Sequence, residues 1–423
     1  MATIDALPSP AGTKVPSPAK PTWLRSNWGV LLAVAALVVV LWLPTPEGLS
    51  IAGQRMLAVL AFAVIVWMTE ALDYAVSAIV IAALMAFLVP STTARVACLV
   101  PITLGIIAAF GVSKRGAFAG MLMITTVQTA SIWNVGIKTA AAQNMVAIGF
   151  IEKSLQKSIT WLEWFIAAAP FAILMSIALY FVMTRMMPAE VKEIPGGREQ
   201  IRKSLAELGP MKLSEKKLLA ISLTLLLFWA TEGVLHSFDT SSTTIAAVAL
   251  MFLPGIGIMT WKDAQPRIPW GTIVLFGIGI SVGTALLQTK GASWLADLAV
   301  VQFGLKNATA LFVLAVLSLF LTLIHLGFAS ATALASAMIP IVIAVLQGVA
   351  TPGINIVGMT MLLQFVVSFG FILVVNAPQN MVAYGTETFD AKDFVRTGLV
   401  LTVIALALVM LLGVTYWRWL GYV

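Results

Sequence analysis

The sequence predicts an all-α integral membrane protein built from two related halves, and three observations carry that expectation. The 423 residues are 60% hydrophobic and 10% charged, with a mean hydropathy of +1.00. Apolar runs of about 20 residues, enough to span a bilayer core as helix, recur along most of the chain. The stretch Ala141–Gly149 returns as Ala377–Gly385 with seven of nine residues identical, at an offset of 236. Both copies set polar, small and helix-breaking residues inside apolar sequence. A span tolerates that only where the irregular backbone lines a protected, hydrated site. Two matched breaks therefore point to a transporter whose site lies where broken helices meet.

Composition narrows the function further. No soluble core absorbs so many apolar runs. The formal charge of +7 sits in short loops, where basic residues set topology and do not imply nucleic acid. One cysteine, Cys98, excludes an internal disulfide, and with only His236 and His325 no metal cluster is expected. There is no nucleophile–His–acid pattern and no phosphate loop, so neither an enzyme nor an enzymatic cofactor is expected. The glycines of Phe276–Gly283 follow no strand and fit close helix packing better than a nucleotide fingerprint.

Taken in order, residues 1–27 read as a disordered tail rich in Pro, Ala, Ser and Lys. They do not resemble a cleavable signal. Lys14, Lys20 and Arg25 against Asp5 place the tail in the cytoplasm, with the protein in the inner (plasma) membrane. A first transmembrane helix falls within 28–50. The first repeat, 51–186, holds a span at Met56–Thr69 and an arm at Tyr74–Val89. Next come Val96–Gly111, Ala117–Val135, the first break at Ile137–Asn144, and Trp161–Met186. Residues 187–217 form a linker with seven Lys/Arg against five Glu, again cytoplasmic. The second repeat, 218–423, reads Leu218–Leu235, Thr243–Met259, Trp270–Gln288, Ala308–Phe328 and Ala333–Val349. A broken span at Ile354–Gly385 and a last span at Val395–Val423 complete it, with the C-terminus outside.

Further echoes support the duplication. Ser91-Thr92-Thr93-Ala94 before Pro101 matches Ser330-Ala331-Thr332-Ala333 before Pro340, at an offset of 239. Trp67-Met68-Thr69-Glu70 matches Trp229-Ala230-Thr231-Glu232 at 162, and Ala83-Leu84-Met85 matches Ala249-Leu250-Met251 at 166. Between Met85 and Ser91 the offset jumps from 166 to 239, so the first half lacks 73 residues that the second contains. Tyr74–Val89 then takes the place of the missing arm that rises to Ser91.

These paired Ser-x-Thr tips and paired Gln-Asn breaks resemble the divalent anion/sodium symporter family, carriers of di- and tricarboxylates. Trp-x-Thr-Glu and the closing Tyr384-Gly385-Thr386…Lys392-Asp393-Phe394…Gly398 also fit, over roughly residues 50–423. The resemblance implies two inverted repeats, each with a re-entrant hairpin and a broken helix beside it. It also implies a homodimer in the lipid bilayer, and cargo such as succinate, malate, 2-oxoglutarate, tartrate or citrate. Carried over by position, the substrate-binding residues are Ser91, Thr92 and Thr93 at one tip, and Ser330 and Thr332 at the other. Gln143 and Asn144 join them from the first break, and Asn376, Gln379 and Asn380 from the second. Hydroxyls, amides and helix N-termini are suitable donors for carboxylates. The alternative is that these side chains merely bond backbone or join helices.

The sequence departs from the family where the central Asn of each tip becomes Thr92 and Ala331. Ala331 offers no side-chain ligand, which weakens the case for sodium ions as co-substrate. Lys138 in the first break and His325 before the second tip would act as tethered cations in their place, making the protein an anion exchanger. Against this, Lys138 could snorkel to an interface and His325 could be a neutral, hydrogen-bonded histidine. Arg95 could attract the anion or stabilise its hairpin. A sodium- or proton-coupled symporter is the rival in the same class, and a non-transporting deletion variant the rival of another.

Overall fold

The computed structural model describes residues 74–89, 91–109, 111–189, 211–253, 257–268, 270–349 and 353–423, with residues 32, 34, 35, 38 and 39, which are helical. The expected tail, the rest of the first helix at 28–50, the span at 56–69 with its Trp67–Glu70 motif and most of the linker lie outside the described residues. Among the described residues there is no strand, and the chain is an all-α membrane protein.

The helices of the first half are α1 (Tyr74–Leu88), α2 (Thr92–Ala109), α3 (Ala117–Gly136), α4 (Ala142–Leu155) and α5 (Trp161–Met186). After the linker come α6 (Leu213–Ala230), α7 (Thr240–Phe252), α8 (Trp270–Gln288), α9 (Gly291–Gln302) and α10 (Ala310–His325). The chain closes with α11 (Ala331–Gly348), α12 (Ile356–Val367), α13 (Pro378–Tyr384) and α14 (Ala391–Val414). Three described helices are long and apolar enough to cross a membrane: Trp161–Met186, Ala331–Gly348 and the stretch Ala391–Trp419 that begins with α14.

Local chemistry sets these boundaries. Thr160 and Glu163 form a reciprocal capping box at the start of α5, with bonds of 2.7 and 3.2 Å. Helix α6 stops at Ala230, five residues short of the expected Leu235, because Gly233 turns the chain at φ +75°. Helix α7 begins at Thr240, earlier than expected, since Asp239 caps Ser241 N and Ser242 N at 2.9 and 3.0 Å. It ends at Phe252, two residues before Pro254.

The two halves are joined reciprocally. Helix α11 of the second half lies against α4 of the first, while α2 of the first lies against α13 of the second. Likewise α12 contacts α4, and α3 contacts α13. Helix α1 rests on α3 as α10 rests on α12, so α1 fills the arm position expected of Tyr74–Val89. The outward faces carry Ile166, Ile173, Ile177 and Phe181 on α5 and Leu399, Val403, Leu411 and Val414 on α14, all exposed. Their spacing of three, four, seven or eight is that of a lipid-facing helical stripe.

Candidate functional site: two crossed helix breaks

The breaks share a 3-10 turn between extended residues, though α12 ends at Val367 and leaves Ser368–Leu373 unwound where α3 stays helical to Gly136. In the first, α3 ends at Gly136, Ile137 is extended, Lys138–Ala140 form a 3-10 turn, and extended Ala141 (φ −149°, ψ 146°) starts α4. In the second, Val374–Asn376 form the 3-10 turn and Ala377 (φ −151°, ψ 142°) starts α13. Breaking a helix in an apolar interior frees carbonyls that must find donors. Asn144 supplies them at the first break: its Nδ2 donates to Asn134 O at 2.7 Å and Ile137 O at 3.1 Å. Asn380 does the same at the second, donating to Gly370 O at 3.0 Å and Leu373 O at 3.3 Å. All three positions are related by the offset of 236, so the repeat extends to the hydrogen bonds themselves.

The breaks also reach into each other. Gln143 Nε2 donates to Ser368 Oγ of the second half at 3.3 Å, and Gln379 Nε2 donates to Ser131 Oγ of the first at 3.3 Å. Gln364 Nε2 donates to Asn144 Oδ1 at 3.3 Å, and its repeat mate Gln128 donates to Phe371 O at 3.0 Å. Every one of these side chains is buried. Gln128 Oε1, Gln364 Oε1 and Asn380 Oδ1 have no partner. Gly398 of α14 lets that helix ride directly over the second break, since a Cβ there would collide with Phe371 O.

The hairpin tips join this crossing by different routes. Ser91 and Ser330 cap α2 and α11, accepting from Ala94 N at 3.4 Å and Ala333 N at 3.3 Å. Thr92 donates to Asn134 Oδ1 at 2.6 Å, while Thr93 is half-buried. Thr332 is buried at the start of α11. Asn376 ties the second hairpin to its break, donating to His325 O at 2.8 Å and Phe328 O at 3.0 Å while accepting from Leu373 N. Its first-half mate is Ala140, which makes no such tie.

The cationic residues fall differently from expectation. Lys138 is buried, but its ammonium donates to Ile159 O at 2.7 Å and Thr240 Oγ1 at 3.1 Å and lies 3.9 Å from Glu232 Oε2. None of these partners belongs to the crossing, so its charge is matched by Glu232. The Glu232 carboxylate also accepts from Trp161 N at 3.1 Å, Thr240 N at 3.2 Å and Thr240 Oγ1 at 2.7 Å. That role for the Trp-x-Thr-Glu motif was not legible, since it ties the nearby Thr240 to Trp161 and Lys138, which are distant in sequence. Beside this tie a cavity of about 470 Å³ is lined by Phe87, Thr139, Met145, Trp229 and Thr240. The buried His325 ring leaves both nitrogens without a partner. Arg95, also fully buried, bonds through Nη2 to Asn134 Oδ1, Ala130 O (3.2 Å) and Thr92 Oγ1 (3.4 Å).

Comparison with known proteins agrees with this architecture. The model of the sodium:sulfate symporter transmembrane region matches residues 24–89 and 79–423, two pieces that overlap where the repeat offset jumps. A "Membrane protein" of Cupriavidus necator is 48% identical, over 95% of this chain and 94% of its own length. That alignment runs over 484 residues whereas 95% of 423 is about 402, so about 80 of the relative's positions face gaps here. The sodium-dependent dicarboxylate transporter SdcS of Staphylococcus saprophyticus is 24% identical over 76% of this chain and 65% of its own. The L-tartrate/succinate antiporter of Escherichia coli is 26% identical over 66% of this chain and 56% of its own. With repeat, crossing and family match in accord, this chain belongs to the sodium:sulfate symporter family of membrane transporters, the divalent anion/sodium symporter group that its tips and breaks resemble, and is not an enzyme.

Proposed function

We propose that this chain moves di- or tricarboxylate anions, of the succinate, malate, 2-oxoglutarate, tartrate or citrate class, across the membrane by exchanging one for another. The observation that carries this reading is the reciprocal crossing of the two breaks, where Gln143 and Gln379 each reach a serine of the opposite half. The same amides and hydroxyls are the donors a carboxylate needs once the halves part. Helix α4 turns its N-terminus toward the crossing, adding a positive dipole end. The names of the two transporters above support a carboxylate cargo.

Exchange is favoured over sodium symport by what surrounds the tips. The oxygens Thr92 Oγ1, Asn134 Oδ1 and Ala130 O already receive the Arg95 guanidinium, and Ala331 contributes no side-chain oxygen at the other tip. His325 completes the reading as a tethered cation of the second half when protonated. Inverted topology of repeats 51–186 and 218–423, re-entrant hairpins, a homodimer, and an inner membrane with the N-terminus in the cytoplasm are parts of the same proposal.

The test is uptake of labelled succinate and 2-oxoglutarate into proteoliposomes, with sodium in the bath and unlabelled dicarboxylate inside varied separately. Uptake that needs internal dicarboxylate and ignores sodium supports exchange. Uptake into empty vesicles driven by a sodium gradient establishes symport instead. No uptake, while the longer Cupriavidus relative is active, makes this chain a non-transporting variant.

A further inference from the structure

The cavity of about 470 Å³ beside the Lys138–Glu232 tie lies between the first break and the facing sides of α6 and α7. Among the described residues no charged side chain lines it. Its threonines are already engaged. Thr139 Oγ1 accepts from Trp161 Nε1 at 3.2 Å, Thr240 Oγ1 donates to Glu232 Oε2 at 2.7 Å, and Thr244 Oγ1 donates to Thr240 O at 2.6 Å. The walls otherwise present hydrocarbon, from Leu225, Ala247, Val248 and Met251, and from Phe87, whose ring packs on those of Trp133 and Trp161 at 5.8 and 6.4 Å. Water settles in a cavity only where several polar groups hold it, and Ser222 and Ser241 are too few for this volume. Left empty, the space would forfeit packing along every wall. The way in is from the lipid side. Ile245 and Val248 line the cavity and are also exposed, Ile245 by 70%, so it is continuous with the outer apolar face of α7. The two helices are thinly attached: α6 buries Trp229 alone and α7 only Thr240 and Ala247, whereas α3 buries every residue after Ala117.

We infer that an acyl chain of a bilayer phospholipid occupies this cavity, entering past Ile245 and Val248 and holding α6 and α7 against the first break. The chain lies beside Thr139, in the 3-10 turn, and against Met145, in the first turn of α4. Between helices in a membrane, close packing does the work that the hydrophobic effect does in water. A tail that fills the space therefore supplies contacts that α6 and α7 do not make with the break themselves. The Lys138–Glu232 pair fixes the polar edge of the same junction, and the lipid fixes its apolar side.

The experiment reads Trp229, which lines the cavity and is only 4% exposed. Full-length wild type and Trp229→Phe (Trp229→Tyr should Phe not fold) are reconstituted into vesicles of phosphatidylcholine, either plain or brominated along its acyl chains. The difference between wild type and variant isolates the emission of Trp229 from that of the other tryptophans. Bromine quenches an indole on contact, so a chain in the cavity should remove at least half of the Trp229 emission in brominated vesicles. Ala247→Phe and, separately, Ser222→Leu fill the space from opposite walls, and each should restore the emission to its level in plain lipid. If one of them does not fold, the other decides. Equal Trp229 emission in the two lipids overturns the inference, because the cavity is then filled by another part of this chain or by a second copy. Quenching that persists in a folded, filled variant overturns it as well, because the bromines then reach the ring by another path.

Discussion

Asn144 and Asn380 occupy equivalent positions but should not be equally important, and the difference can be worked from their bonds. Replacing Asn144 by Ala removes three buried bonds: those to the carbonyls of Asn134 and Ile137, the latter keeping its bond from Ala140 N, and the one from Gln364 Nε2. Replacing Asn380 by Ala removes two, to the carbonyls of Gly370 and Leu373, the latter keeping its bond from Asn376 N, together with an Oδ1 that had no partner. At about 1 kcal/mol per lost interhelical or backbone-capping bond in a membrane interior, Asn144→Ala should cost about 3 kcal/mol and Asn380→Ala about 2 kcal/mol or less. Asn144→Asp keeps the shape but turns an acceptor toward two carbonyls, so it should be worse than Ala. Thermal unfolding of detergent-purified protein ranks the three variants. Equal losses for the two alanine variants, or a tolerated Asn144→Asp, would refute the reasoning that these amides close the breaks.

Three further outcomes are expected. Gly398→Ala drives a Cβ into Phe371 O and to 3.0 Å from Ile372 Cα; overpacking of this kind costs about 1–3 kcal/mol, and succinate exchange should fall with it because Phe371 O anchors Gln128. Glu232→Gln leaves the Lys138 ammonium without its counter-charge and should destabilise by about 3 kcal/mol, whereas the double variant with Lys138→Met should recover much of that loss, a coupling read by a thermal-shift double-mutant cycle. His325→Phe removes a ring whose nitrogens have no partner, so unfolding temperature should hold, while the preference of exchange for acidic medium, expected if a protonated ring assists anion binding, should disappear from a pH series of KM values.

Much of this architecture was legible because the chain states it twice. Offsets of 236 and 239 located both breaks and both tips, and Trp161–Met186 was expected with the bounds it has. The repeat also carries hydrogen-bond positions, which is why Asn144 and Asn380 could be singled out. What was not legible depends on contacts across the chain. Lys138 was assigned a role by its place in the break, yet its ammonium turns to Ile159, Thr240 and Glu232, at separations of 21, 102 and 94 residues. Helix ends were missed where hydropathy continues past a turn: Val234 and Leu235 read as span but stand exposed beyond Ala230. Arg95 illustrates the opposite case, in which the sequence shows a charge but only the fold shows that no acid among the described residues pairs with it.

The central claim, that the transported anion sits where tips and breaks meet, is tested most directly by cysteine protection at the second tip. Ala331 is half-buried there, and the native Cys98 is exposed on α2 and needs removal first. In a Cys98→Ser background, Ala331→Cys is labelled by a small water-soluble thiol reagent in proteoliposomes, with and without dicarboxylate. Occupancy at the crossing predicts that succinate slows labelling several-fold, with half-effect near its KM for exchange. Labelling that is indifferent to saturating succinate, in protein that still exchanges it, would place the anion elsewhere.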